Sequence, residues 1–168
     1  MPDLLAIAGI ELQWLRTGFL PAAFSLRWND TELGSLAWES LFSSRAVART
    51  PVGAWRFQRL GFRGLTIEDA DTGQPVATMQ FHLFGSGELT FADGRVLALR
   101  HTALLPPVWA FQDADGAALV VVRGRAAALL RGGHCRIEPA AATLPEAGLV
   151  ALLGIYILVR RARRRARR

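Results

Sequence analysis

Residues 143–159 read Thr143-Leu144-Pro145-Glu146-Ala147-Gly148-Leu149-Val150-Ala151-Leu152-Leu153-Gly154-Ile155-Tyr156-Ile157-Leu158-Val159, and no charge follows Glu146 for thirteen residues. The first four match a capping box, with Pro145 in the first turn, where its missing N–H removes no hydrogen bond. A helix is therefore expected over about 145–159. Wound at 3.6 residues per turn, this segment is apolar all round, so it needs protein or lipid on every side. Thirteen helical residues rise roughly 20 Å, against a hydrocarbon core of about 30 Å. A run this short is more often a core helix than a membrane span.

Immediately beyond it, Arg160, Arg161, Arg163, Arg164, Arg165, Arg167 and Arg168 make a tail of seven arginines without an acid. With the rest of the chain in the cytoplasm, a tail anchor would carry these charges outward, against the positive-inside preference. The opposite orientation requires an export signal. Met1-Pro2-Asp3-Leu4-Leu5-Ala6-Ile7-Ala8 holds an acid where such a signal is basic, and Glu11 cuts the apolar run short. The expectation is a cytoplasmic protein, peripheral to the inner membrane at most, whose terminal helix is the centre of its fold. The alternative is a C-terminally membrane-anchored protein.

Upstream, from residue 10 to about 138, apolar and polar residues alternate with period two. Ile10, Leu12 and Trp14, Phe24, Leu26 and Trp28, Trp55 and Phe57, and Leu65 and Ile67 each sit on one phase of such a run. The clearest is Ala77, Met79, Phe81 and Leu83, and Leu89 with Phe91 and Trp109 with Phe111 continue the rhythm. Asn29-Asp30, Asp71-Thr72-Gly73, Asp93-Gly94 and Asp115-Gly116 supply residues that tolerate positive φ in tight hairpins. Arg49-Thr50-Pro51-Val52-Gly53 and Leu105-Pro106-Pro107 read as loops. About eleven or twelve strands fit in this length. A barrel of about eight strands holds only its own side chains, so one enclosing a helix needs this larger number. The predicted fold is mainly β: a closed antiparallel barrel of about 12 strands around a hydrophobic C-terminal helix. It forms a single domain over 1–159, with 160–168 a basic tail that is disordered or extends the helix.

Three stretches carry a resemblance. Trp55-Arg56-Phe57 leads into a strand pair ending Glu68-Asp69-Ala70-Asp71-Thr72-Gly73. Gly87-Glu88-Leu89-Thr90-Phe91-Ala92-Asp93-Gly94-Arg95 and Trp109-Ala110-Phe111-Gln112-Asp113-Ala114-Asp115-Gly116 form two further hairpins. In this order, with an apolar helix last, the chain from Trp55 to Val159 resembles the tubby C-terminal-like superfamily, which includes the LURP-one-related proteins and phospholipid scramblases. The resemblance implies a twelve-stranded barrel that encloses its terminal helix. Some relatives bind phosphoinositides or are linked to lipid movement. Their lipid- and metal-contacting positions are not matched residue by residue here, so those activities are not carried over.

All 20 basic residues are arginine, and with the abundant Ala and Gly this composition points to a GC-rich bacterial genome. Outside the tail, 13 arginines face 14 acids, a net charge of −1. The net +6 is thus a tail and not a face, and specific nucleic-acid binding is not expected. Cys135 is the only cysteine and cannot form an intrachain disulfide. Its neighbour His134 would point to the opposite side of a strand, which denies the pair a nucleophile–base hydrogen bond. His82, His101 and His134 lack metal-ligand spacing. Glu68, Asp69, Asp71, Asp113 and Asp115 read as turn residues that bond their own backbone. Gly85-Ser86-Gly87 and Arg131-Gly132-Gly133 open no helix, so they read as loops and not phosphate cradles. Trp14, Trp28, Trp55 and Trp109 fall on apolar phases and are expected in the core. No catalytic residue, metal or cofactor is therefore predicted. The reading is a monomeric, non-enzymatic binding or scaffold domain. Its seven tail arginines are read in three ways: as a solvated end that suits the negative helix terminus, as a contact for anionic phospholipid at about 1 kcal/mol each near the surface, or as a non-specific nucleic-acid contact.

Overall fold

The computed structural model describes residues 7–103, 107–125 and 131–168. Its strands are β1 (Glu11–Phe19), β2 (Ala22–Trp28), β3 (Thr31–Trp38) and β4 (Ala46–Thr50). These are followed by β5 (Gly53–Leu60), β6 (Gly64–Asp69), β7 (Pro75–Phe81) and β8 (Gly87–Phe91). The last four are β9 (Val96–Ala103), β10 (Val108–Gln112), β11 (Ala118–Gly124) and β12 (Gly132–Ile137). The helix α1 (Ala147–Ala166) follows. Every strand pairs antiparallel with its sequence neighbours, and β1 pairs with β12, Leu12 opposite Cys135, so the sheet closes into a twelve-stranded barrel.

Period-two alternation puts one phase of each strand inside. Leu12, Trp14, Phe57, Ile67, Met79 and Phe111 are buried, whereas Thr78 and Gln80 face outward. The interior is filled by α1, whose first thirteen residues, Ala147–Val159, are all buried. The helix touches β11 and β12 on one side and β3 and β4 across the barrel. A seven-residue strand such as β7 spans about 23 Å, or less when tilted. The thirteen-residue apolar stretch, at roughly 20 Å, therefore matches the height of the wall.

Glycine sets the fit of helix to wall. A Cβ on Gly154 would come within 2.5 Å of Val122 Cγ2, so α1 approaches β11 at a distance only glycine permits. That contact offsets the roughly 1 kcal/mol by which glycine weakens a helix interior. On the other side, Tyr156 stacks on Trp38 (5.3 Å between centroids) and meets Phe57 edge-on (5.4 Å). Its hydroxyl donates to the Ser44 carbonyl at 2.6 Å, which satisfies the one polar side chain in the buried stretch.

Four expectations change. The capping box does not form. Thr143 ends a 3-10 turn (Pro139–Thr143), and the helix begins at Ala147, not Pro145. The Glu146 carboxylate instead receives Arg95 at 3.1 and 2.5 Å, a bidentate pair that clamps the helix entrance to the β8–β9 turn. Gly132 and Gly133 belong to β12, and Gly87 to β8, and not to loops. A Cβ on Gly133 would fall 2.7 Å from Trp14 Nε1, whose indole lies across this strand and donates to the Arg123 carbonyl at 3.2 Å. The loop read at 49–53 shrinks to Pro51-Val52, with its flanks in β4 and β5. Leu83 lies beyond the end of β7 in a short 3-10 turn and is 65% exposed. Of the loop read at 105–107, Leu105 and Pro106 lie outside the described residues.

Leu153 is fully buried, so Leu153→Arg would place an unpaired charge in the barrel. It is expected to cost more than about 4 kcal/mol, with loss of the folded state in denaturant titration. Gly154→Val is expected to cost about 1–3 kcal/mol by overpacking. In a double-mutant cycle, Val122→Ala should return part of that loss, because it removes the methyl groups the new side chain meets.

Candidate functional site

An up-and-down barrel sends alternate connections to opposite ends. The β2–β3, β6–β7, β8–β9 and β10–β11 connections hold Asp30, Asp69, Asp71, Asp93, Asp113 and Asp115. Their chemistry is that of turns. Asp69 Oδ1 accepts the backbone N–H groups of Asp71 and Thr72, both at 2.9 Å, and these bonds lower its pKa. Asp113 Oδ1 accepts from Asp115 and Ala117 in the same way, at 2.9 Å each.

The opposite end, where α1 leaves the barrel, is built differently. Arg160, Arg161 and Arg163 are half-buried against the rim, while Arg164, Arg165, Arg167 and Arg168 are exposed. The helix continues through Ala166, so five of these seven arginines are helical, at the C-terminal end whose negative dipole favours cations. Arg161 lies over the Trp109 ring at 3.9 Å and near Phe81 at 5.5 Å, and it donates to the Gly85 carbonyl at 2.5 Å. Arg163 lies over Trp38 at 5.0 Å. Burial pulls the Arg161 guanidinium down to about 10, assisted by repulsion from Arg165, Arg160 and Arg164. Burial lowers Arg160 and Arg163 as well. All three remain charged at neutral pH, so the rim carries a concentrated positive charge.

Two clefts open here. One, of about 310 Å³, is lined by Arg63, Arg160, Arg161 and Arg164 together with Phe62, Phe81, His82 and the Leu83-Phe84-Gly85 turn. The second, of about 200 Å³, takes Arg59, Arg160, Arg163, Arg164 and Arg167 with Trp38, Phe42 and the Ser43 and Ser44 residues. No carboxylate lines either cleft. Among the described residues, no acid forms an ion pair with any of these arginines. The arrangement fits an anion with several oxygens. Guanidinium groups offer paired N–H donors, and an incoming phosphate or carboxylate would relieve their mutual repulsion.

Sequence reasoning located the seven tail arginines. It missed Arg59 and Arg63, which the β5–β6 connection brings beside them. The body's near-neutral total concealed this, because the described aspartates all lie at or beside connections of the opposite end, while Glu39 of the β3–β4 connection is paired with Arg56. The missed signal was in the connections: Leu60-Gly61-Phe62-Arg63 and Leu41-Phe42 are apolar where the other end has Asp and Gly.

The remaining candidates do not assemble. Cys135 faces the interior and His134 the outside of β12, and burial raises the Cys135 thiol to about 12. His101 stacks on Trp109 at 4.3 Å, far in the chain from His82 and His134. Among the described residues, no group of three or more His, Cys, Asp or Glu could hold a metal ion, and no helix is long and apolar enough to cross a membrane. Trp14, Trp55 and Trp109 are buried, and Trp28 is half-buried at the end of β2. Comparison of the chain with protein-family models, curated proteins and solved structures finds no match.

The native protein is expected to resist thiol reagents. Modification of Cys135 should proceed only as fast as unfolding exposes it, and labelling in denaturant should reach one thiol per chain.

Proposed function

We propose that this chain is a cytoplasmic, non-enzymatic binding domain of tubby-like architecture that attaches peripherally to anionic phospholipid. The carrying observation is the rim itself. Seven tail arginines, Arg59 near the end of β5 and Arg63 of the β5–β6 connection converge at one end, around clefts without a carboxylate. A monomer with its acidic turns at the other end approaches a negatively charged surface in one orientation, because the field attracts one pole and repels the other. The enclosed helix supports attachment by charge over anchoring in the bilayer, because its apolar residues already have protein on all sides. A closed twelve-stranded barrel around a terminal helix also supports the tubby-like reading. The reading needs no catalytic group, cofactor or metal.

The test uses the exposed arginines and leaves the packed ones in place. Replacing Arg164, Arg165, Arg167 and Arg168 together by Gln should weaken binding to phosphatidylglycerol vesicles by about three orders of magnitude at low salt, at about 1 kcal/mol per arginine. The unfolding midpoint should stay nearly unchanged, since these side chains are exposed. In co-sedimentation, binding of the parent chain should fall as salt rises and be weak on phosphatidylcholine alone. Equal binding by the substituted chain would remove the tail as the lipid contact.

A further inference from the structure

The helix-exit end carries a second feature, independent of its charge. Four of the nine phenylalanines stand in solvent: Phe19 at 70%, Phe42 at 88%, Phe62 at 80% and Phe84 at 99% exposure. Each occupies or adjoins a different connection, those of β1–β2, β3–β4, β5–β6 and β7–β8, so all four lie at the same end of the barrel. Leu20, Leu41, Leu60 and Leu83 accompany them, also exposed. At the opposite end Ile10, Val52 and Val96 are the exposed large apolar residues among the described residues, and none is aromatic. Single exposed hydrophobes are ordinary, but a contiguous set on neighbouring loops marks a contact surface.

Phe84 adds a specific sign. Its backbone sits at φ 63°, ψ 13°, in the left-handed region that a bulky side chain rarely adopts. This conformation aims the ring out of the molecule, because Phe84 is almost wholly exposed. Strain retained for no internal contact is characteristic of a functional position.

The geometry points to this crown of phenylalanines as a membrane-inserting rim. The rings enter the upper acyl region of an anionic bilayer, and the arginines beside them hold the phosphates. The inference rests on the lipid reading above and adds a depth and an orientation. Eight consecutive strands, β1–β8, carry the four tips, an arc of two thirds of the rim, so the barrel stands with its axis close to the membrane normal. Charge complementarity selects a bilayer over a second copy of the chain. Two such ends meeting would oppose a dozen or more guanidiniums, whereas an anionic leaflet neutralises them while it receives the rings. Phe62 shows the pairing locally: it lies between Arg59 and Arg63 and lines the larger cleft with Arg63, Arg160 and Arg164. Phenylalanine and leucine beside arginine is the composition of segments that lie in a membrane interface, with the apolar side chains in the acyl boundary and the guanidiniums at the headgroups.

The test measures depth and affinity separately on the full chain with phosphatidylglycerol–phosphatidylcholine vesicles. Phe62→Cys carries an environment-sensitive dye, while the buried Cys135 stays unlabelled under native conditions. Its emission should shift to the blue on vesicle binding and be quenched by brominated acyl chains, whereas the same dye at Asp71→Cys should remain in water. Phe42→Ser, Phe62→Ser and Phe84→Gly should each weaken binding by at least about tenfold. Their unfolding midpoints should not fall, and glycine at position 84 suits the left-handed backbone. The slope of log affinity against log salt should stay as in the parent, since no charge is removed. A bound protein whose Phe62 dye stays in water would overturn insertion and leave the lipid reading intact. A chain that binds no anionic vesicle at any salt would overturn both. Self-association abolished by the same substitutions, without vesicle binding, would assign the crown to a dimer and overturn insertion.

Discussion

A helix that is apolar on every side can exist in water only if it is enclosed all round. Ala147–Val159 satisfies its own backbone hydrogen bonds but presents no polar face, so no two-layer arrangement could cover it. A closed barrel can. The requirement then propagates outward. The wall must be wide enough for a helix, hence twelve strands, and as tall as about thirteen helical residues. It must also admit close contact where the helix lies off-centre. Gly154 against Val122 of β11 and Gly34 of β3 against Leu152 provide that contact, four strands apart around the wall. At Gly34 a Cβ would stand 3.3 Å from Leu152 Cδ1 and 3.1 Å from the Arg49 carbonyl.

The helix also fixes a direction. Its entrance is clamped where Arg95 grips Glu146, and its exit is ringed by arginines that could not enter the barrel without being stripped of water. Leu158 and Val159 are the last buried residues, and Arg160 and Arg161 beyond them remain half-buried, Arg161 against Trp109, Phe81 and Gly85. The arginines therefore act as a stop that sets how far the helix advances. The same charges then converge on the connections of that end. One local rule, that the apolar run ends in guanidinium, thus yields both the depth of the helix and the polarity of the molecule.

Much of this was legible in sequence because each level gave the same answer. Alternation along Ala77-Met79-Phe81, Asp-Gly turns and a charge-free run of helical period are local signals that do not depend on where the chain goes next. What could not be read were features made by distant partners. The glycines at 132 and 133 look like a loop until the Trp14 indole is placed across them. Thr143 and Glu146 have the spacing of a capping box, but Arg95, some fifty residues away, takes the carboxylate. Strands β3 and β11 lack clean alternation: Leu33-Gly34 is buried in succession, and so is Leu119-Val120. Leu83 continued the period of β7 on paper although the strand had ended two residues earlier. The arginine tail was evident as a charge run. Its joining with Arg59 and Arg63 required the topology.

The two classes of connection show how strongly the ends have diverged. An up-and-down barrel asks only that each hairpin turn, and the acidic end meets that need with residues whose side chains bond their own backbone, as Asp69, Asp93 and Asp113 do. Nothing in the geometry of a hairpin requires phenylalanine at its tip. Four such tips carry one, each fully capable of core packing, and the barrel leaves all four in water. Core formation cannot account for them, since the interior is already filled by the helix and the inward phase of every strand. Solubility would favour their removal. Their position, beside uncompensated arginines and opposite the acidic turns, is what a surface that is both negative and apolar beneath its charges would select, and a bilayer of anionic phospholipid has that layering.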